Sequence, residues 1–199
     1  MRSSLLFFAA TGLLAATACD VSRTAADSAA AGSAPSVRPD TTATGFARKL
    51  TQGGYLFELK TTPGADPALT IRTRKGATQV VEPLRIPLAG RPVRATAADL
   101  NGNGKPEVYV FTDAPTANAG FYAYELQPSG LTPLPGPGRI SGRAAEGYRG
   151  HDTYAVSGAT LIRSFPLGGD VDTAGSRTLA YRLLPGNGWK VQQVMESNR

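Results

Sequence analysis

From Phe46 onward, apolar side chains recur at every second residue and do not settle into a helical period. In YLFELK this puts Tyr55, Phe57 and Leu59 on one face, and in ALTIRT it does the same for Leu69 and Ile71. Further strand candidates are TQVVEPLRIPL, VRATAADL, EVYVFT, GFYAYEL, TYAV, TLIRSF, RTLAYRLL and WKVQQVM. Gly, Pro, Asn and Asp punctuate nearly every gap, as expected for a chain with 23 Gly and 15 Pro. Short, regularly spaced strands joined by turn residues predict an all-β fold, an antiparallel β-sandwich. No solenoid or propeller period is visible, and the DLNGNG element occurs once. The turn-rich stretch QPSGLTPLPGPGRISGR reads as a long exposed loop.

The N-terminus belongs to a different class of sequence. A short basic n-region, MRSS, precedes the apolar run LLFFAATGLLAA, which is too short to span a bilayer as a helix. Small residues then lead to Cys19, the only cysteine in the chain. Ala16-Thr17-Ala18-Cys19 resembles the lipobox of bacterial lipoproteins, in which the cysteine is lipidated and becomes the mature N-terminus. The expectation is therefore a signal peptide over 1–18, then lipidated Cys19 and a small, polar tether over 19–45. A single β domain follows over 46–199. The implied location is the bacterial cell envelope, with the domain anchored to a membrane and facing the periplasm or the exterior.

Lys and Arg number 21 against 15 Asp and Glu. The cations are scattered singly along strand-like segments, and the tightest group is Arg72, Arg74 and Lys75. No basic helix or aromatic-interleaved basic run is present, so the charge reads as a solvated face and nucleic acid is not an expected partner. The catalytic inventory is thin. One histidine, His151, lies in YRGHDTY; there is no G-x-S-x-G elbow and no set of His and Cys ligands for zinc. The sequence predicts a binding protein rather than an enzyme, with Gly150-His151-Asp152 a structural turn and Asp170 and Asp172 turn residues.

DLNGNGKPE, residues 99–107, supports two readings. Asp99, Asn101, Asn103, the Lys105 carbonyl and Glu107 supply oxygen at the spacing a calcium loop uses, although only two of the five carry charge. The pattern resembles EF-hand loops and the shorter loops of FG-GAP and VCBS-type repeats. Two Asn-Gly steps ahead of EVYVF also make a hairpin signal. Calcium is thus the one cofactor the sequence suggests. A calcium-dependent surface module that binds glycan or protein is the alternative functional reading.

Two longer blocks carry a further resemblance. VRATAADLNGNGKPEVYVFTDAPTANAGFYAYEL is followed by GYRGHDTYAVSGATLIRSFPLGGDVDTAGSRTLAYRLLPGNGWKV. In order, they hold a D-x-N-x-N-G-x-P-E turn, a hydrophobic strand, a small-residue loop, an aromatic strand, GHD, R-x-FP, GD and R-x-L-x-Y-x-L. The series resembles the periplasmic inhibitors of I-type (invertebrate) lysozyme, the PliI family, over most of Val93 to Val191. The resemblance implies a lysozyme-blocking loop near residues 117–122, where Ala119-Gly120-Phe121-Tyr122 stands in the place of the family's S-G-x-Y. Ala119 occupies the serine position. It also implies lysozyme as protein partner, and a homodimer.

Overall fold

In the computed structural model, residues 45–62, 68–113, 120–168 and 175–197 are described. Cys19, Ala119, Asp170 and Asp172 lie outside them. The described chain is all-β and antiparallel, as the alternation predicts, with one short 3-10 turn at Gly142–Ala145. It forms three successive meanders, so the sandwich has three layers rather than two.

The first sheet is built from β1 (Ala47–Gln52), β2 (Tyr55–Thr62), β3 (Ala68–Lys75), β4 (Thr78–Gln79) and β5 (Leu84–Pro87), with β4 and β5 both on β3. Gly53 and Gly54, both at positive φ, make the two-residue turn between β1 and β2. Pro83 falls in the break that divides TQVVEPLRIPL into two short strands. The middle sheet is β6 (Pro92–Ala98), β7 (Glu107–Thr112), β8 (Phe121–Gln127) and β9 (Gly130–Leu134). The last is β10 (Thr153–Ser157), β11 (Thr160–Pro166), β12 (Ser176–Leu183) and β13 (Trp189–Ser197).

β7 explains how the layers hold together. Every residue of EVYVFT is buried. Val108 and Val110 join Phe57, Leu59, Leu69, Ile71 and Ile86 in one core against the first sheet. Tyr109 and Phe111 point the other way, into a second core with Tyr154, Leu161, Phe165, Leu179 and Tyr181 of the last sheet. A strand covered on both faces needs apolar residues at nearly every position, and EVYVF supplies them. Phe111 stacks on Tyr154 with ring centroids 5.9 Å apart, while Phe121 meets Tyr109, Phe111, Tyr154 and Trp189 at 5.4–6.1 Å.

Two segments differ from the sequence reading. QPSGLTPLPGPGRISGR is not one loop, because GLTPL within it forms β9, with Leu131 and Leu134 buried. Pro133 is tolerated there since β9 is an edge strand, free of a ladder on its outer side. ARKLTQ forms β1, also an edge, where the adjacent cations Arg48 and Lys49 and the polar Thr51 and Gln52 weaken the apolar signal.

The long connection from β9 to β10 is held by two arginines of the last sheet. Arg163 on β11 is fully buried. Its Nε lies 2.7 Å from Asp152 Oδ1, and it donates further to Asp152 Oδ2, the Tyr148 hydroxyl and the Gly138 carbonyl. Arg177 on β12 donates to the carbonyls of Arg143, Ala144 and Glu146 and pairs with Glu196. Asp152 therefore does not close its own GHD turn. It serves as counter-ion to Arg163, while exposed His151 takes the left-handed conformation, φ 61°. GHD, R-x-FP and R-x-L-x-Y-x-L, distant in sequence, all contribute to fixing this connection.

Candidate functional site

The two candidate regions both lie on the middle sheet. The first is the β6–β7 connection, Asp99 to Pro106, which joins antiparallel neighbours as a hairpin turn with Ala98 opposite Glu107. Its side chains serve its own backbone. Asp99 accepts the N–H groups of Asn103 and Gly104 through its two oxygens, at 3.0 and 2.9 Å. Asn101 Oδ1 accepts the Asn103 N–H at 3.0 Å, and Asn103 Oδ1 accepts the Lys105 N–H at 2.8 Å. These are Asx turns in series, the local bonding that makes Asp and Asn good turn residues.

Glu107 is engaged by the backbone at the start of the loop. It is fully buried, and its carboxylate accepts the N–H groups of Leu100 at 2.6 Å and Asn101 at 3.4 Å. Burial pushes its carboxyl up to about 7, with Asp99 and Glu125 adding to the rise and the two N–H groups opposing it. Tyr109, next on the same face, is buried, and burial, with Glu107 beside it, raises its pKa strongly.

The residue the sequence did not single out is Glu125. It sits directly opposite Glu107 on β8 and is also buried. Its carboxylate accepts the side-chain amides of Asn101 at 2.9 Å and Asn103 at 2.7 Å, and that of Gln127. Its register opposite Glu107 could have been read only from a correct pairing of EVYVFT with FYAYELQ. The two Asn side chains thus give their amide donors to Glu125. Among the described residues no three acidic, His or Cys side chains gather as a metal centre. Asp99, Asn101, Asn103, Lys105 and Glu107 fit a turn closed by hydrogen bonds better than a calcium shell.

The second region is the end of the β7–β8 hairpin. Gly120 is buried and packed so tightly that a Cβ there would lie 2.8 Å from the Thr112 carbonyl oxygen. The Thr112 N–H donates to the Gly120 carbonyl at 2.9 Å. One residue outward, the Asp113 N–H donates to the Arg91 carbonyl at 2.9 Å, the Arg91 N–H returns a bond to Asp113 Oδ1 at 2.6 Å, and the Arg91 guanidinium pairs with Asp113 Oδ2. The Arg91 N–H, helped by the guanidinium, holds the Asp113 carboxyl below its usual range.

Phe121 and Tyr122 begin β8 and point to opposite sides of the sheet. Phe121 is half-buried in the aromatic cluster, and Tyr122 is half-buried against the core beneath the first sheet. The Tyr122 hydroxyl accepts the Ala89 N–H at 2.7 Å. Both side chains therefore have partners inside the molecule, and the Asp113–Gly120 connection departs from a base fixed on both sides.

No protein-family model, curated protein or solved structure matches this chain.

Proposed function

We propose that the protein is an exported, lipid-anchored inhibitor of lysozyme, I-type in the first instance, and that it acts by stoichiometric binding. The connection between Asp113 and Gly120 is the element that enters the enzyme's cleft. Gly120, Phe121 and Tyr122 form its C-terminal anchor and Ala119 the residue at its edge. One observation carries the reading: both ends of this connection are clamped, at Thr112–Gly120 and at Arg91–Asp113. A binding segment set on a rigid base loses less conformational entropy on association, which is how inhibitors of clefts gain affinity. The target chemistry is complementary: a glycosidase cleft presents a pair of carboxyl groups that hydroxyl and amide donors can engage while sugar is excluded. Anchoring through Cys19 would hold the inhibitor beside the wall polymer that lysozyme attacks.

The test is inhibition of I-, c- and g-type lysozymes in a turbidity assay with the mature chain. The expected outcome is loss of I-type activity at micromolar inhibitor, with weaker action on the other two. Ala119→Ser adds a donor hydroxyl at the edge of the proposed contact and should tighten inhibition by roughly tenfold, about the net worth of one hydrogen bond. Unchanged inhibition by that variant would remove residue 119 from the interface.

A further inference from the structure

The outer face of the first sheet carries charge that the lysozyme reading does not use. Period two and the register of β1–β5 put Lys49, Lys60, Arg72, Arg74 and Arg85 on the side away from the core. Glu58 is the one acidic residue in these five strands, and it is engaged by Lys49 at 3.5 Å and Arg74 at 3.3 Å. Lys60 and Arg85 flank Thr70 as its cross-strand partners, and Arg72 lies two positions further along β3. All three cations are exposed, and among the described residues none is ion-paired. A shallow groove of about 570 Å³ lies over β1–β3, lined by Lys49, Lys60, Thr70 and Arg72 among others. Like charges on neighbouring strands repel, and an anion seated between them relieves that repulsion.

We propose that this face docks on an anionic phospholipid surface, with a headgroup phosphate seated among Lys60, Arg72 and Arg85 beside the Thr70 hydroxyl. The inference rests on the Cys19 anchoring proposed above. Two observations choose a membrane over a soluble polyanion or a glycan. The N-terminal chain joins the described structure at Gly45, directly ahead of β1, so along the chain an anchor at Cys19 reaches this sheet before the other two. Among the described residues this face also presents no aromatic ring on which a sugar could stack.

The experiment is co-sedimentation of the unacylated chain, Cys19 to Arg199, with phosphatidylcholine vesicles that contain or lack phosphatidylglycerol. Binding should require phosphatidylglycerol and fall as sodium chloride is raised. Lys60→Gln, Arg72→Gln and Arg85→Gln together should weaken it by about a hundredfold, each cation near a charged surface contributing roughly fivefold. Arg182→Gln with Lys190→Gln, exposed cations of the last sheet, should leave binding unchanged. Binding that ignores phosphatidylglycerol, or a triple variant that binds as well as the parent, would overturn the proposal. So would dextran sulfate displacing the vesicles while itself being held more tightly. The acyl state of Cys19 is read separately, from the mass of the protein isolated from its producing bacterium. An unmodified cysteine there overturns the anchor, whereas failure of the vesicle assay overturns the docking face.

Discussion

Glu107 and Arg163 are buried charges resolved in opposite ways. Among the described residues no cation pairs with Glu107. Backbone N–H groups of Leu100 and Asn101 bond its carboxylate, but burial dominates and lifts its pKa from 4.5 to about 7. The folded protein then keeps this proton to about pH 7, while the unfolded chain releases it near 4.5. Stability should fall as pH rises through that window, by at most about 3 kcal/mol, and level off above it. Denaturant titrations across the window should show this slope, and Glu107→Gln should flatten it. An equally steep slope in the variant would assign it to another group. Arg163 has a bidentate carboxylate partner in Asp152, so the pair is neutral and its loss is one-sided. Arg163→Met should cost about 3–5 kcal/mol in urea unfolding by leaving Asp152 buried alone. Arg182→Met on the exposed face of the same sheet should cost less than about 0.5 kcal/mol. Near-equal values for the two would refute the role given to Arg163. Neither assignment was legible in the sequence, because a partner such as Asp152 for Arg163 is set by the register of β10 on β11 and the turn before it.

At the scale of elements, the alternation in the sequence located most strands, since each has one side toward a core. It failed at β1 and β9, edge strands in which apolar residues are few or are interrupted by proline. It also located the β6–β7 turn but not its chemistry. The spacing of Asp99, Asn101 and Asn103 that suggests a calcium loop is equally the spacing of successive Asx turns, and Glu125, the carboxylate to which the Asn amides turn, lies on another strand. The expected outcome is that calcium or a chelator shifts the melting temperature by less than a degree or so. Saturating a site built into the native state would instead raise it by several degrees, since ligand at a hundredfold excess over Kd adds about 2.7 kcal/mol. Such a rise would restore the cation reading and make Glu125 a ligand.

At the scale of the molecule, three meanders stack so that β7 lies between two cores, and each layer presents a different surface. The sequence shows no repeat because each sheet buries a different set of residues: one face for the outer sheets, both faces for β7. Cations that look scattered along the chain gather on one face for the same reason, as alternation and register bring them together. In the proposed arrangement the first sheet would face the membrane, while the middle sheet holds the base of the β7–β8 connection. The most direct measurement is an equilibrium titration of the mature chain with active I-type lysozyme, following binding and lytic activity in the same samples. The account predicts a one-to-one complex with micromolar or tighter Kd and activity that falls in proportion to complex formed. A lysozyme that remains fully active at saturating excess of the protein would contradict it.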